Sequence, residues 1–315
     1  MIRKQEQPKS IGRRNFVKKI GGTALAGAAA SLLLDPRMAY ASPLPENPTD
    51  TAIGQFYASL SEKQRKAICL PFNHKLRSAI NANWHVRDFL VGDSFYSDEQ
   101  RTLIDQIVRN VTSEEGYERM MRQMEDDDGG IDSYSVAIFG KPGGEGFQWE
   151  MTGRHLTLRA DGDRDDKVAF GGPLVYGHGE SVPSENLYHF QTKMANEVFQ
   201  ALDPEQRKKA LLTKAPKENA VQVQGEQGSF PGVSFSELSR DQREPVMDAL
   251  RSVMSPYREE DHDEVKEIVR QHGGLRAMHF AFYQERDLEN DKVWDVWRIE
   301  GPALVYHFRG APHVH

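Results

Sequence analysis

The sequence predicts an α+β protein. Apolar residues recur at three- and four-residue spacing in several separate stretches, which marks helices. Two other stretches each read as three short strands joined by tight turns, and helical and strand text stay segregated instead of alternating. The two strand-rich stretches also look alike, so the expected architecture is two pseudo-repeated units, each of helices plus a short antiparallel sheet, packed as one globular body.

In chain order, residues 1–41 come first. The basic run Gly12-Arg13-Arg14-Asn15-Phe16-Val17-Lys18 precedes an Ala/Gly-rich apolar segment, and Ala39-Tyr40-Ala41 offers a small-x-small cleavage site before Ser42. This is the pattern of a twin-arginine signal peptide, which predicts the twin-arginine export machinery as a partner and a periplasmic or secreted location. The apolar segment runs for about fifteen residues, short of the roughly 20 needed to cross a bilayer, so no permanent membrane span is expected. Such export carries folded proteins, often with a cofactor already in place.

Residues 42–55 are Pro-rich and polar at their start and are assigned as a linker. The first helix-plus-sheet unit is placed at 56–185. Its first helix starts at Leu60-Ser61-Glu62-Lys63-Gln64-Arg65, where Ser61 and Gln64 form a capping box. Helices follow at 97–110 and 113–125. Strands are predicted at 134–139, 147–151 and 154–159, with a Gly/Pro turn at 140–146. The second unit, 186–315, opens with a helix predicted over 185–201. Helix starts recur at Leu202-Asp203-Pro204-Glu205-Gln206-Arg207 and Leu238-Ser239-Arg240-Asp241-Gln242-Arg243, and another helix covers 260–271. Strands are predicted at 277–283, 293–299 and 303–308. Trp149 with Trp297, and Gly153 with Gly301, mark matching positions in the two units.

Charge and composition narrow the function. Taking the eight basic and two acidic residues before Ser42 from the 40 and 47 of the whole chain leaves 32 against 45, a net charge of −13. That balance, with no basic stripe, argues against a nucleic-acid partner. The single cysteine, Cys69, cannot form an internal disulfide and is read as a small apolar side chain beside Ile68 on the helical pattern. No Gly-x-Ser-x-Gly elbow is present, which leaves a serine hydrolase unsupported.

Histidines carry the candidate chemistry. His313 and His315, in Pro312-His313-Val314-His315, sit at i and i+2 of an extended segment and so face the same way, within reach of one ion about 2 Å from each nitrogen. His155 follows Gly153 in the unit whose counterpart leads into that pair, so His155, His313 and His315 are the predicted metal ligands. His178, in the Gly-rich Tyr176-Gly177-His178-Gly179-Glu180, is a fourth candidate. Three imidazoles with an open position suit a transition metal, with copper preferred over zinc on the affinity order. Arg154 and Glu180 are the candidate catalytic residues, placed to orient an anionic or hydroxylated small-molecule substrate or ligand. Two acidic runs are read as solvated: Asp161-Gly162-Asp163-Arg164-Asp165-Asp166 as a hairpin turn, because it lacks a calcium loop's Gly and Glu, and Glu125-Asp126-Asp127-Asp128 as a helix end.

Residues 56–65 and 134–139, Trp149-Glu150-Met151-Thr152-Gly153-Arg154-His155-Leu156, Gly172-Pro173-Leu174, Trp297-Arg298-Ile299-Glu300-Gly301-Pro302 and His313-Val314-His315 together resemble a family of exported bacterial proteins catalogued as a domain of unknown function, number 3500. The resemblance spans almost all of the chain after the signal. It implies no reaction. Family members tend to carry Gly-His-His where this chain has Gly153-Arg154-His155, so only His155 answers to that motif. The expected function is an exported metal-binding protein with a histidine-rich mononuclear site, read first as a copper-dependent oxidoreductase. A non-catalytic periplasmic metal or small-ligand binding protein and a zinc-dependent hydrolase are the alternatives.

Overall fold

Four helix starts among the described residues are built on the same reciprocal cap, and they organise the fold. Ser61 with Gln64, Ser97 with Gln100, Asp203 with Gln206, and Ser239 with Gln242 each close a capping box, in which side chain and backbone satisfy one another's orphan donors. The capping glutamines then reach across to their partners. Gln64 Nε2 donates to Gln100 Oε1 at 2.8 Å, and Gln206 Nε2 donates to Gln242 Oε1 at 3.1 Å; both pairs are separated by 36 residues. The structure, a computed structural model, describes residues 48–144, 146–161, 171–218 and 221–315.

Among the described residues the α-helices are α1 (Pro48–Ser59), α2 (Glu62–Ile68), α3 (Asp98–Asn110), α4 (Glu114–Asp128), α5 (His189–Ala201), α6 (Pro204–Ala210), α7 (Arg240–Met254) and α8 (Glu259–Gln271). Strands β1 (Cys69–Leu70), β2 (Ser135–Gly140), β3 (Phe147–Gly153), β4 (Leu156–Asp161) and β5 (Gly172–Tyr176) form one sheet in sequence order. The other sheet holds β6 (Leu211–Leu212), β7 (Val233–Ser234), β8 (His279–Tyr283), β9 (Val296–Glu300) and β10 (Val305–Arg309), in the order β10-β9-β8-β6, with β7 also on β8. Each sheet has one parallel pairing, β1 on β2 and β6 on β8, and is antiparallel elsewhere. The fold is therefore α+β, with two mixed sheets in one globular body.

Strand alternation assigns the two faces. From β3 and β4, Trp149, Met151, Leu156, Leu158 and Ala160 enter the core that also takes Ile104, Ile107, Met120 and Met124 from the helices. The opposite face carries Gln148, Glu150, Thr152, Thr157 and Arg159, all buried as well. The segment after β1 covers them: Trp84 Nε1 donates to Thr157 Oγ1 at 3.0 Å, and Arg159 Nη2 donates to the Ala79 carbonyl at 2.5 Å. In the second sheet Trp297 stacks on Phe308, centroids 5.0 Å apart, in a core with Phe280, Phe282 and Ile299.

Three expectations are corrected. The linker over 42–55 does not extend through its described part: Pro48–Ser59 is a helix, because Ala52, Ile53 and Phe56 bury against the first core. Cys69 lies on β1 and not on the preceding helix; half-buried, its thiol is pushed up to about 11 by burial, partly offset by Arg65. The strand starts predicted at 154, 277, 293 and 303 shift inward to Leu156, His279, Val296 and Val305, since turns and 3₁₀ segments take the first residues. The signal at 1–41, linker residues 42–47 and positions 162–166 of the acidic turn lie outside the described residues. No helix among the described residues is long and apolar enough to cross a membrane.

Candidate metal centre

β3 and β4 turn back on each other through only two residues, Arg154 and His155, because Gly153 pairs directly with Leu156. His155 takes a left-handed φ of 55°, a conformation that histidine adopts more readily than most side chains. Neighbours hold the turn: the His155 N–H donates to the Ala82 carbonyl at 2.6 Å, and Gln123 Nε2 donates to the His155 carbonyl at 3.1 Å. Gly153 explains the tight approach before the turn, since a Cβ there would lie 2.3 Å from the Tyr134 ring, whose hydroxyl donates to the Arg154 carbonyl.

The other two imidazoles come from the segment after β10. Arg309 and His315 exchange backbone hydrogen bonds of 3.0 and 2.9 Å, folding the chain back, and the His178 N–H donates to the Val314 carbonyl at 3.1 Å. Val314 is buried in the second core, so the alternation puts His313 and His315 on the opposite face. Gly177 is bare at this point because a Cβ would stand 2.1 Å from the Val314 carbonyl oxygen.

The three rings converge. Every pair of ring centroids among His155, His313 and His315 is 4.9 Å apart, and one nitrogen from each lies within 4.8 Å of the others. His313 Nε2 and His315 Nε2 are 3.1 Å apart. Nitrogens about 2.0–2.1 Å from a tetrahedral ion sit roughly 3.3 Å apart, so this cluster fits a metal after small side-chain rotations. Carboxylates select the nitrogens. Asp127 Oδ2 lies 2.6 Å from His155 Nδ1, and Glu218 Oε2 lies 3.2 Å from His315 Nδ1. A carboxylate beside Nδ1 favours the tautomer that carries its proton there and leaves Nε2 unprotonated, the arrangement by which neighbouring groups orient imidazoles around a metal.

Electrostatics favour neutral rings at His313 and His315. Burial, with His315, His155 and Arg309 nearby, pushes His313 down to about 4. Burial, with Arg309 and His155, also lowers His315 in spite of its Glu218 partner. Burial alone would raise Asp127, but hydrogen bonds from His155 and the Gly179 N–H, with the charges of His155 and His178, bring it below its ordinary value. The His315 hydrogen bond, aided by Arg309 and opposed by burial, takes Glu218 to about 2. These two imidazoles stay unprotonated at neutral pH, the form that ligates a metal.

Of the four predicted ligands, three are brought together and His178 is not among them. Its Nδ1 accepts the Leu187 N–H at 3.2 Å and its Nε2 lies 3.5 Å from Asp126, so the ring faces the loop before α5 while its backbone holds Val314. Arg154 and Glu180 line a cleft of about 840 Å³ together with His178, Asp126 and Asp127. Asp127 corrects the reading of residues 125–128 as a solvated helix end: its side chain is 4% exposed, wedged between His155 and the Gly179 N–H. An acidic run in the last turn of a helix opposes the helix dipole, and that was the one signal in the sequence that these acids had another task. Glu218 carried no signal.

A family described as "Protein of unknown function (DUF3500)" matches residues 45–315. The chain belongs to this family. Neither the curated proteins nor the solved structures gave a match. Within this DUF3500 chain, Arg154 and His155 form the whole two-residue turn, with His155 buried and Arg154 exposed.

Asp127→Asn keeps the size of the side chain but weakens its hold on His155 Nδ1–H. Metal affinity is expected to fall about 10–100-fold with the fold intact, as checked by competition against a chelator and by circular dichroism.

Proposed function

We propose that this DUF3500 protein is an exported metal-binding protein whose mononuclear site is made by His155, His313 and His315, and that it acts as a copper-dependent oxidoreductase. One observation carries the reading: three buried or half-buried imidazoles, one from the β3–β4 turn and two from the segment after β10, meet with a nitrogen of each within 4.8 Å of the others, and two of them are backed by carboxylates. An unliganded cluster of this kind crowds three polar rings for no structural gain, whereas a cation at its centre satisfies all three lone pairs. Copper is preferred because an all-imidazole set suits it and it binds most tightly in the divalent series. When bound, it would supply redox or Lewis-acid chemistry, while Asp127 and Glu218 keep the rings oriented. The twin-arginine pattern supports a periplasmic or secreted site of action, reached with the metal already in place.

A second reading, a zinc-dependent hydrolase, is favoured by the same ligand count, since three histidines with an open fourth position are a hydrolytic zinc set. Elemental analysis of protein exported by its own signal separates the readings. Near-stoichiometric copper is expected, and zinc would transfer the conclusion to hydrolysis. Protein that carries no transition metal and gains none on titration would overturn both, leaving a ligand-binding protein with structural histidines.

A further inference from the structure

We propose that the cleft beside the imidazoles binds a small zwitterion of the amino-acid or short-peptide class, its carboxylate on Arg154 and its ammonium toward Glu180 and Glu185. The cleft, about 840 Å³, is within the usual range of small-molecule sites, and its lining is mostly polar. It shares a wall with the histidine cluster. A point beside Gly179, where a side chain would begin, lies 2.7 Å from Asp127 Oδ1, 3.1 Å from His155 Cε1 and 3.3 Å from Arg154 Nη2. The bare glycine backbone therefore brings the guanidinium next to the imidazole, and any larger residue would push them apart.

Charge pairing selects the ligand. Of the two arginines in the cleft, Arg122 is 3.5 Å from Asp126, whereas Arg154 has no ion pair or side-chain hydrogen bond among the described residues. Its backbone is fixed by the Tyr134 hydroxyl at 2.7 Å and by a bridge to Asn83, so the free guanidinium stands on a firm base. A planar fork of donors of this kind matches a carboxylate with two parallel hydrogen bonds. A simple anion would meet the acidic lining around it. Glu180, which uses Oε1 for the Val182 N–H, and Glu185, whose carboxylate has no partner among the described residues, complement an ammonium group instead. Asn186 stiffens this wall by donating to the carbonyls of His178 and Glu180 at 3.0 and 2.7 Å.

The proposal rests on the metal reading only for what befalls the ligand once it lies beside His155; binding itself needs no metal. The test titrates the full chain, metal-free and metal-loaded, with glycylglycine, glycylglycine amide and N-acetylglycylglycine, and follows the Arg154 Nε–H resonance by NMR. That resonance is assigned by its loss in Arg154→Gln, a substitution at an exposed side chain. Saturable binding of glycylglycine is expected, with both blocked forms at least about tenfold weaker. In Arg154→Gln, monitored through the Gly179 amide, the advantage of the free carboxylate disappears. No saturable shift with glycylglycine, equal binding of the three probes, or a carboxylate preference that survives in Arg154→Gln would overturn the proposal. Because the metal-free titration stands alone, a failed zwitterion site and a failed metal site give separate results.

Discussion

Replacing His313 and His315 together by alanine is expected to abolish metal binding while leaving the protein folded. The two rings supply two of the three converging nitrogens, and His155 alone cannot hold an ion against solvent. Losing an orienting carboxylate costs roughly 10–100-fold in affinity, and losing two ligands costs far more, so the metal content of the purified variant should fall to the background. The fold survives for a local reason. Val314 keeps its place in the second core, and the backbone bonds from His178 and Arg309 to this segment do not involve the imidazoles. Elemental analysis together with a thermal melt checks both halves. Metal retained at the wild-type level would place the site elsewhere.

Arg159→Met is expected to have the largest effect on stability. Glu150 is fully buried on the covered face of the first sheet, where Arg159 Nε pairs with its Oε2 and Gln148 Nε2 donates to the same oxygen at 3.0 Å. Removing one member of a buried pair leaves the other charge uncompensated, a loss of about 3–5 kcal/mol. The pH dependence has a definite sign. Burial pushes Glu150 from 4.5 up to about 7, despite the Arg159 charge beside it. A carboxyl raised in the folded state binds its proton more tightly there than when unfolded, so its contribution is most favourable below about 4.5 and is lost as pH rises to about 7. Without Arg159 that rise steepens. Denaturant unfolding should show the largest difference between variant and wild type near pH 8 and a smaller one near pH 5. A difference independent of pH would mean that Arg159 acts by packing alone.

Much of this architecture was legible because it rests on local rules. The capping boxes at Ser61 and Ser239, the Gly-marked turns and the period-two alternation around Trp149 and Trp297 are written in neighbouring residues, and the structure has each of them. The i, i+2 spacing of His313 and His315 likewise fixed their common face. What stayed hidden depends on contacts between distant residues. Strands β1 and β6 are two residues long and exist only because β2 and β8 offer an edge to them. Pro48–Ser59 looked like linker because its helix is held by packing and not by a strong amphipathic pattern. Asp127 and Glu218 reach His155 and His315 across 28 and 97 residues of chain, which no spacing rule anticipates. His178 was drawn toward the site by its glycine-rich surroundings. Its place in the structure shows what those glycines serve: Gly177 and Gly179 let the backbone pass close to Val314 and Asp127.

The central claim is that three imidazoles hold one ion, and X-ray absorption at the metal edge of protein loaded with one equivalent of copper tests it most directly. Three histidine nitrogens at about 2.0 Å, falling to two in His155→Ala, are the predicted result. A shell of oxygen or sulfur ligands, or a spectrum unchanged in His155→Ala, would contradict it.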